Sequence, residues 1–226
     1  RRDPVRARPG PSGGSGTGLS ARPADAPGGA GAARSPAREQ RRWAGAATLP
    51  GVRILVCPDS FTGTMTAAEA AAAIRRGWSQ AAPRDELLER PLSDGGPGFL
   101  EAIRAGRGGT RHALAVTGPL GERVTAEVLV DDEATAWVES ALAAGLHLVP
   151  PERRDPGLTT SRGVGELMGH ALDLGARRVV VGVGGTGTCD GGAGLLAGLG
   201  ASGTPDGLLD RGGAGLLDLA ALDLGP

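Results

Sequence analysis

Three short polar clusters each follow an apolar run that is typical of a buried strand. The first is Asp59-Ser60, the second is Asp94-Gly95-Gly96, and the third is the glycine-rich segment from Gly182 to Gly194, which contains Asp190. In open α/β sheets the ligand crevice lies at the carboxyl ends of the strands. Because each cluster follows a predicted parallel strand, we expect all three to meet in one crevice.

The residue types in these clusters favour phosphate chemistry assisted by a metal ion. Glycine amides between a strand and a helix present N–H donors and a partial positive charge, which suit phosphate. Carboxylates in the same crevice would repel phosphate unless they hold a metal ion or act as a base, so the combination predicts chemistry on a Mg²⁺–nucleotide complex. A single aspartate at a strand end is more often a turn former or helix cap. Three aspartates beside glycine loops favour the functional interpretation.

Other motifs for nucleotides, metals or nucleophiles do not account for the glycine-rich segment. Gly182–Gly187 satisfies GxGxxG, but no strand with a terminal acid follows about twenty residues later, as a dinucleotide site requires. A Walker A loop is excluded because the sequence contains no lysine. Cys189 lacks an evident partner base. His112, His147 and His170 lack ligand spacing and are expected to be surface or core residues.

The elements that position the clusters can be predicted from periodicity. Arg53–Cys57 predicts a buried strand, and Thr66 with Glu69 predicts a capping box that starts an amphipathic helix ending at Ala81. A strand, a short helix, a β-hairpin with a third strand, a helix and a final strand follow it. Their predicted bounds are Leu87–Leu92, Phe99–Ala105, Arg111–Thr117 with Glu122–Val130, Ala134–Glu139, Val164–Leu174 and Arg177–Val181.

Composition divides the chain into four segments. Residues 1–51 are predicted to be disordered, because the first fifty hold nine Gly, seven Pro and nine Arg with few large apolar side chains. Residues 52–109 form a first α/β segment, and residues 110–157 a β-rich inserted subdomain. Residues 158–226 return to the α/β pattern with the glycine-rich loop and are expected to be incomplete at the C-terminus.

The basic first segment has three interpretations. It could be an organellar transit peptide or an anion-binding tail. We favour a spurious extension upstream of an alternative start at Val52, because the abundance of Arg, Ala, Gly and Pro and the lack of Lys and Tyr indicate GC-rich DNA. On that interpretation the segment is not native protein.

Charge, hydropathy and cysteine spacing exclude several classes of protein. The balance of 24 basic against 25 acidic residues argues against a dedicated nucleic-acid binder. No apolar run approaches the ~18 residues that a membrane-spanning helix needs. Cys57 and Cys189 lie far apart without a CxxC motif, which excludes a zinc ribbon and a disulfide scaffold.

Five ordered segments together resemble the glycerate kinases of the bacterial two-domain type. The resemblance extends over about residues 53–226. The segments that carry it are Cys57–Ala67, Pro91–Gly98, Thr117–Gly121, Leu158–Gly163 and Gly182–Gly194.

The resemblance implies transfer of the γ-phosphoryl group of ATP to a hydroxyl of glycerate, with Mg²⁺ as cofactor. It implies a flavodoxin-like or Rossmann-like parallel sheet and a second α/β domain, β-rich and swivelling, whose sheet is interrupted in sequence. The active site would lie in the cleft between the two domains. It also implies a cytoplasmic protein with a small-molecule substrate, no nucleic-acid or membrane partner, and a homodimer as one state open to it.

The resemblance also suggests roles for individual residues. We expect Asp190 to be the base that takes the glycerate hydroxyl proton, and Asp59 and Asp94 to hold Mg²⁺ or orient the substrate. Hydroxyls and backbone amides of the three clusters would bind the substrate or its phosphate. These residues are Ser60, Gly95, Gly96, Ser161, Gly184, Gly185, Thr186, Thr188, Gly191 and Gly192.

The chain departs from the family pattern at three positions. Thr62 replaces a usual Lys, Pro97 a usual Glu, and Cys189 a usual Asn. Loss of a lysine near a transferring phosphoryl group removes a charge that stabilises the transition state, and Arg162 could replace it. The chain is also shorter than family members. The alternative function is therefore an impaired or fragmentary relative that at most binds a nucleotide or small acid.

Overall fold

The computed structural model describes residues 51–61 and 63–225. These residues belong to one compact unit, Ala46–Pro226. The predictions for residues 1–50 and for Thr62 fall outside the described residues. The strands are β1 Arg53–Val56, β2 Glu86–Glu89, β3 Thr110–Thr117, β4 Arg123–Val130, β5 Thr135–Glu139, β6 Arg178–Gly182, β7 Ser202–Thr204 and β8 Ala221–Asp223. The α-helices are α1 Ala67–Ala81, α2 Phe99–Arg107, α3 Ala141–Ala144, α4 Arg162–Asp173, α5 Ala193–Gly198 and α6 Gly212–Gly215.

The strand–helix–strand order of the first βαβ unit is as predicted, but β1 is only partly buried, with Leu55 61% exposed, and β2 ends at Glu89 and not at Leu92. Strands β1 and β2 pair in parallel, with Arg53 opposite Glu86, and α1 connects them. The predicted capping box is confirmed: the Glu69 amide donates to the Thr66 hydroxyl at 3.2 Å, and the Thr66 amide donates to the Glu69 carboxylate at 2.8 Å. Because Glu69 accepts this amide hydrogen bond, the pKa of its carboxyl lies below the ordinary value.

The predicted apolar face of α1 is buried only near its start. Ala67 and Ala71 are buried, whereas Ile74 and Trp78 are 44% and 42% exposed. The reason is length: a helix of 15 residues spans about 22 Å, and strands of four residues span only about 13 Å. The two-stranded sheet therefore covers the first turns of the helix and not the last.

The central strands form one mixed sheet in the order β3-β4-β5-β6. The hairpin β3–β4 and the pair β4–β5 are antiparallel, whereas β5 and β6 are parallel. The predicted α/β class is confirmed. The parallel pairs β1–β2 and β5–β6 lie in two separate sheets. The mixed sheet also extends across the predicted segment boundary at residue 157.

Helices cover both faces of the mixed sheet. On one face α4 buries Val164 and Leu167 against Val116, Val128 and Val138. On the other face α2 buries Phe99 and Leu100 against Leu129, and the rings of Phe99 and Trp137 meet edge to face. No helix in the described part of the chain is long and apolar enough to cross a membrane.

Helices α4 and α5 cross at glycines, which allow the two backbones to lie close together. A Cβ at Gly165 would clash with the carbonyl oxygen of Leu195 and would lie 3.1 Å from the Cα of Gly198. One turn further along α4, a Cβ at Gly169 would have no atom within 4 Å. Close contact between the helix backbones is therefore needed at Gly165 and not at Gly169.

Substitutions at these two glycines of one helix are expected to change the free energy of unfolding in opposite directions. Gly165→Ala is expected to lower the free energy of unfolding by about 1–3 kcal/mol or more, because the helices must separate. Gly169→Ala is expected to raise it by roughly 0.5–1 kcal/mol, because alanine favours a helix interior. Urea denaturation of both variants tests this. Equal destabilisation by both would contradict the packing.

Candidate active site

The loop after β2 and the loop after β6 lie directly against each other. The amide of Gly184 donates to the carbonyl of Gly95 at 3.0 Å. A Cβ at Gly184 would lie 2.6 Å from the Cα of Gly96. The glycines of the two loops therefore allow their backbones to approach closely. The group that lies against Gly184 is the backbone of the other loop. Glycine is therefore needed at this position for packing of the two loops.

All three predicted loops line one cavity of about 450 Å³. The loop after β1 contributes Asp59 and Ser60, and the other two contribute Asp94 with Gly96 and Gly185. The structure thus brings these five predicted residues together. The remaining lining residues are Pro97, Leu146, His147 and Arg154.

Asp59 and Asp94 each accept one local amide hydrogen bond and keep one carboxylate oxygen free. The Ser60 amide donates to Asp59 Oδ1 at 2.6 Å, and the Gly96 amide donates to Asp94 Oδ1 at 2.8 Å. Neither Oδ2 has a hydrogen-bond partner among the residues that the structure describes. Asp94 therefore forms a turn, as the simpler interpretation expected, and both aspartates present charge to the cavity.

Asp59 and Asp94 are the residues of this cavity that could hold a Mg²⁺ ion together with a nucleotide. Within residues 51–61 and 63–225 there is no cluster of three or more His, Cys, Asp or Glu side chains that could hold a metal ion. Mg²⁺ commonly takes one or two carboxylates and completes its shell with water and substrate phosphates. The free oxygens of Asp59 and Asp94 meet that need.

A second cavity of about 220 Å³ shares Leu146 and Arg154 with the first. It includes Thr186 and Thr188, two predicted binding residues of the glycine-rich segment. Its other lining residues are Val149, Asp155, Pro156, Thr159, Gly187 and Cys189. The glycine-rich segment therefore contributes to both cavities.

Asp190 lies behind the second cavity and does not line it. Its side chain is buried, and its Oδ2 accepts from the Ser161 amide at 2.8 Å, the Ser161 hydroxyl at 2.8 Å and the Gly194 amide at 3.1 Å. Its Oδ1 accepts from the Gly192 amide at 3.2 Å. The Ser161 hydroxyl also accepts from the Leu195 amide at 2.9 Å. Asp190 thus links the glycine-rich segment to the start of α4.

The other predicted residues also lie outside the two cavities. Gly95 and Gly184 form the contact between the loops, and Ser161 is bonded to Asp190. Gly191 and Gly192 adopt positive φ angles of 60° and 83°, which glycine tolerates best. These residues shape the loops whose neighbours line the cavities.

The prediction missed the lining residues Leu146, His147 and Arg154. The only signal for Arg154 was its place in a polar turn beside Asp155-Pro156-Gly157. Arg162, one arginine that could have replaced the lysine, pairs instead with Glu166 at 3.2 Å and Asp210 at 2.6 Å. Its guanidinium is therefore already engaged.

A buried glutamate, Glu139, accepts hydrogen bonds from the end of the loop after β2 and from the start of α2. It ends β5 and accepts from the amides of Gly98 and Leu100, both at 3.2 Å, at the start of α2. Burial raises the pKa of the Glu139 carboxyl above its ordinary value, and the amide hydrogen bonds oppose that shift only in part.

This raised pKa predicts a pH-dependent stability. Because the pKa of Glu139 is higher in the folded state, its protonated form stabilises the fold. This contribution to the free energy of unfolding is fully present below the ordinary pKa of 4.5 and is lost as the pH rises through the higher pKa of the folded state. Glu139→Gln cannot ionise. The free energy of unfolding of this variant is therefore expected to rise relative to that of wild type as the pH rises from about 4 to 8. Urea denaturation across that range tests this, with exposed Glu152→Gln as control. A constant difference between Glu139→Gln and wild type would contradict it.

Comparison with known proteins assigns a family to this arrangement. The model of the glycerate kinase family matches residues 54–226. The chain is 43% identical over 181 residues to a glycerate kinase of Bacillus subtilis, covering 76% of this chain and 46% of that protein. It is 47% identical over 152 residues to a glycerate 2-kinase of Escherichia coli, covering 66% of this chain and 40% of that protein.

A solved structure agrees with this assignment. A crystal structure of a Salmonella typhimurium LT2 protein, provisionally named glycerate kinase 2, matches with a TM-score of 0.67 and 41% identity, covering 77% of this chain and 48% of that one. The chain therefore spans about half the length of the relatives that it matches. On the family match and these identities, the chain belongs to the glycerate kinase family.

Proposed function

We propose that this protein transfers the γ-phosphoryl group of ATP to a hydroxyl of glycerate, giving phosphoglycerate and ADP. The observation that carries the proposal is the cavity in which Asp59, Asp94 and the glycine-rich segment meet, in a chain of the glycerate kinase family. Relatives named glycerate kinase and glycerate 2-kinase support the substrate. Because the chain spans about half of those relatives, the activity of the whole protein is part of the proposal.

The cavity residues supply complementary parts of the reaction. Gly185, Thr186 and Thr188 lie where amides and hydroxyls can bind phosphate oxygens, while Asp59 and Asp94 each offer a free carboxylate oxygen. Bound Mg²⁺ would neutralise charge that develops on the phosphate oxygens. The residues that would hold it are Asp59 and Asp94. Either carboxylate could also orient the acceptor hydroxyl.

The role of Asp190 as the base remains a prediction from the sequence. Its burial and its four hydrogen bonds support a positioning role as well. If the carboxylate took the proton of a substrate hydroxyl, it would give up part of this bonding. Asp59 and Asp94 are exposed to the cavity and have no such constraint.

The departures from the family pattern favour a second candidate function. Pro97 and Cys189, which stand where the family usually has Glu and Asn, line the two cavities, so the chain could bind nucleotide or glycerate without turnover. Location in the cytoplasm, absence of nucleic-acid and membrane partners, and a homodimeric state are further predictions that accompany the kinase proposal.

Measurement of ADP release by the purified chain with Mg²⁺–ATP tests the proposal. Release that requires D-glycerate, and does not occur with glycerol, is the expected result. Release that is the same with and without D-glycerate would contradict it. Binding of ADP and D-glycerate by calorimetry without any release would favour the second candidate.

A further inference from the structure

Arg154 is placed and oriented to bind an anion between the two cavities. It follows the short 3₁₀ helix Pro151–Arg153 and lines both cavities. Its Nε donates to the carbonyl oxygen of Val149 at 3.2 Å, which orients the guanidinium. Within the described residues no carboxylate forms an ion pair with Arg154, in contrast to Arg162. The N–H groups of the terminal nitrogens of Arg154 are therefore available to bind a ligand.

The second cavity contains a buried hydroxyl that also lacks a partner. Thr159 is 1% exposed, and its Oγ1 makes no hydrogen bond to any described residue. A buried hydroxyl without a partner is costly. Thr159 and Arg154 line the same cavity, but the Thr159 oxygen is itself buried, so a ligand could reach it only after a local shift of the cavity wall.

The charges of the second cavity select the kind of ligand. Arg154 contributes one positive charge, and Asp155 one negative charge; Asp155 Oδ1 accepts from the Gly157 amide at 2.8 Å. The Arg154 guanidinium favours an anion, and a carboxylic acid with hydroxyl groups brings a single negative charge with which the guanidinium can pair. Arginine binds a carboxylate through two parallel N–H···O bonds.

We propose that Arg154 binds the carboxylate of the acceptor. This proposal rests on the proposed function and specifies how its substrate is held. The carboxylate lies toward the second cavity, and the hydroxyl to be phosphorylated lies toward Asp59 and Asp94 in the first. Arg154 is then the residue that distinguishes a hydroxy acid from a neutral polyol.

Calorimetry with two matched ligands tests the assignment. D-glycerate and D-glyceramide differ only in the group that Arg154 is proposed to bind. Wild type is expected to prefer D-glycerate, and Arg154→Gln is expected to lose about 10- to 100-fold in D-glycerate affinity, as loss of a charge-assisted hydrogen bond predicts. D-glyceramide affinity should change little. Arg154→Lys should retain an intermediate preference, because a single ammonium keeps the charge without the paired geometry.

The controls separate this proposal from the proposed function. Arg153→Gln lies next in the chain and lines neither cavity, so it should bind both ligands as wild type does. Thermal unfolding verifies that each variant is folded. Equal losses for both ligands in Arg154→Gln, or an unchanged preference, would overturn the carboxylate assignment and leave the kinase proposal intact. A folded wild type that neither binds D-glycerate nor releases ADP with it would overturn both.

Discussion

Asp190→Ala is expected to lower the free energy of unfolding by more than about 3 kcal/mol, because each buried donor left without a partner costs about 1–3 kcal/mol. The substitution would remove the acceptor for three backbone amides and for the Ser161 hydroxyl. The link between the glycine-rich segment and α4 would be lost with it. Urea denaturation measures this change.

Two further variants separate the structural role of Asp190 from the predicted base role. Asp173→Ala changes an exposed residue at the end of α4 and is expected to have little effect on stability. Asp190→Asn keeps the size of the side chain but not its charge. Full turnover in Asp190→Asn would refute the base role, and wild-type stability in Asp190→Ala would contradict the buried network.

Asp94→Asn is expected to reduce D-glycerate-dependent ADP release by on the order of 10²-fold or more, the scale on which loss of one preorganised electrostatic group lowers turnover. Asparagine retains an oxygen that can accept from the Gly96 amide, so the turn should persist. Only the charge that faces the cavity is lost. The Mg²⁺-dependent part of ADP affinity, measured by calorimetry, is expected to fall as well.

The control for Asp94→Asn is Asp132→Asn, which changes an exposed aspartate in the turn between β4 and β5. Both variants should unfold near the wild-type temperature, and only Asp94→Asn should alter turnover and Mg²⁺-dependent ADP binding. If Asp94→Asn kept more than half of the wild-type rate and the same Mg²⁺ dependence, Asp94 would have no part in the chemistry.

The features that sequence reasoning predicted well depend on local rules. The Thr66–Glu69 capping box and the strand–helix–strand order around it need only short-range hydrogen bonds and periodicity, and both are observed. The convergence of Asp59, Asp94 and Gly185 required one additional rule, that ligand sites lie at the carboxyl ends of parallel strands.

The features that escaped prediction depend on contacts between distant parts of the chain. Arg154 reaches the cavities from a loop with no motif of its own. Glycines that suggested ligand contact also serve packing, since Gly184 lies against Gly96 and Gly165 against α5. Burial of Asp190 likewise depends on Ser161, 29 residues away in sequence. Periodicity carries no information about such pairs.

The position of bound D-glycerate is the most direct test of this account. It would be measured in a crystal structure of the chain with D-glycerate and Mg²⁺–ADP. We expect the carboxylate within hydrogen-bond distance of the Arg154 guanidinium and a hydroxyl facing Asp59 and Asp94. D-glycerate bound at a site that none of these three residues contacts would contradict it.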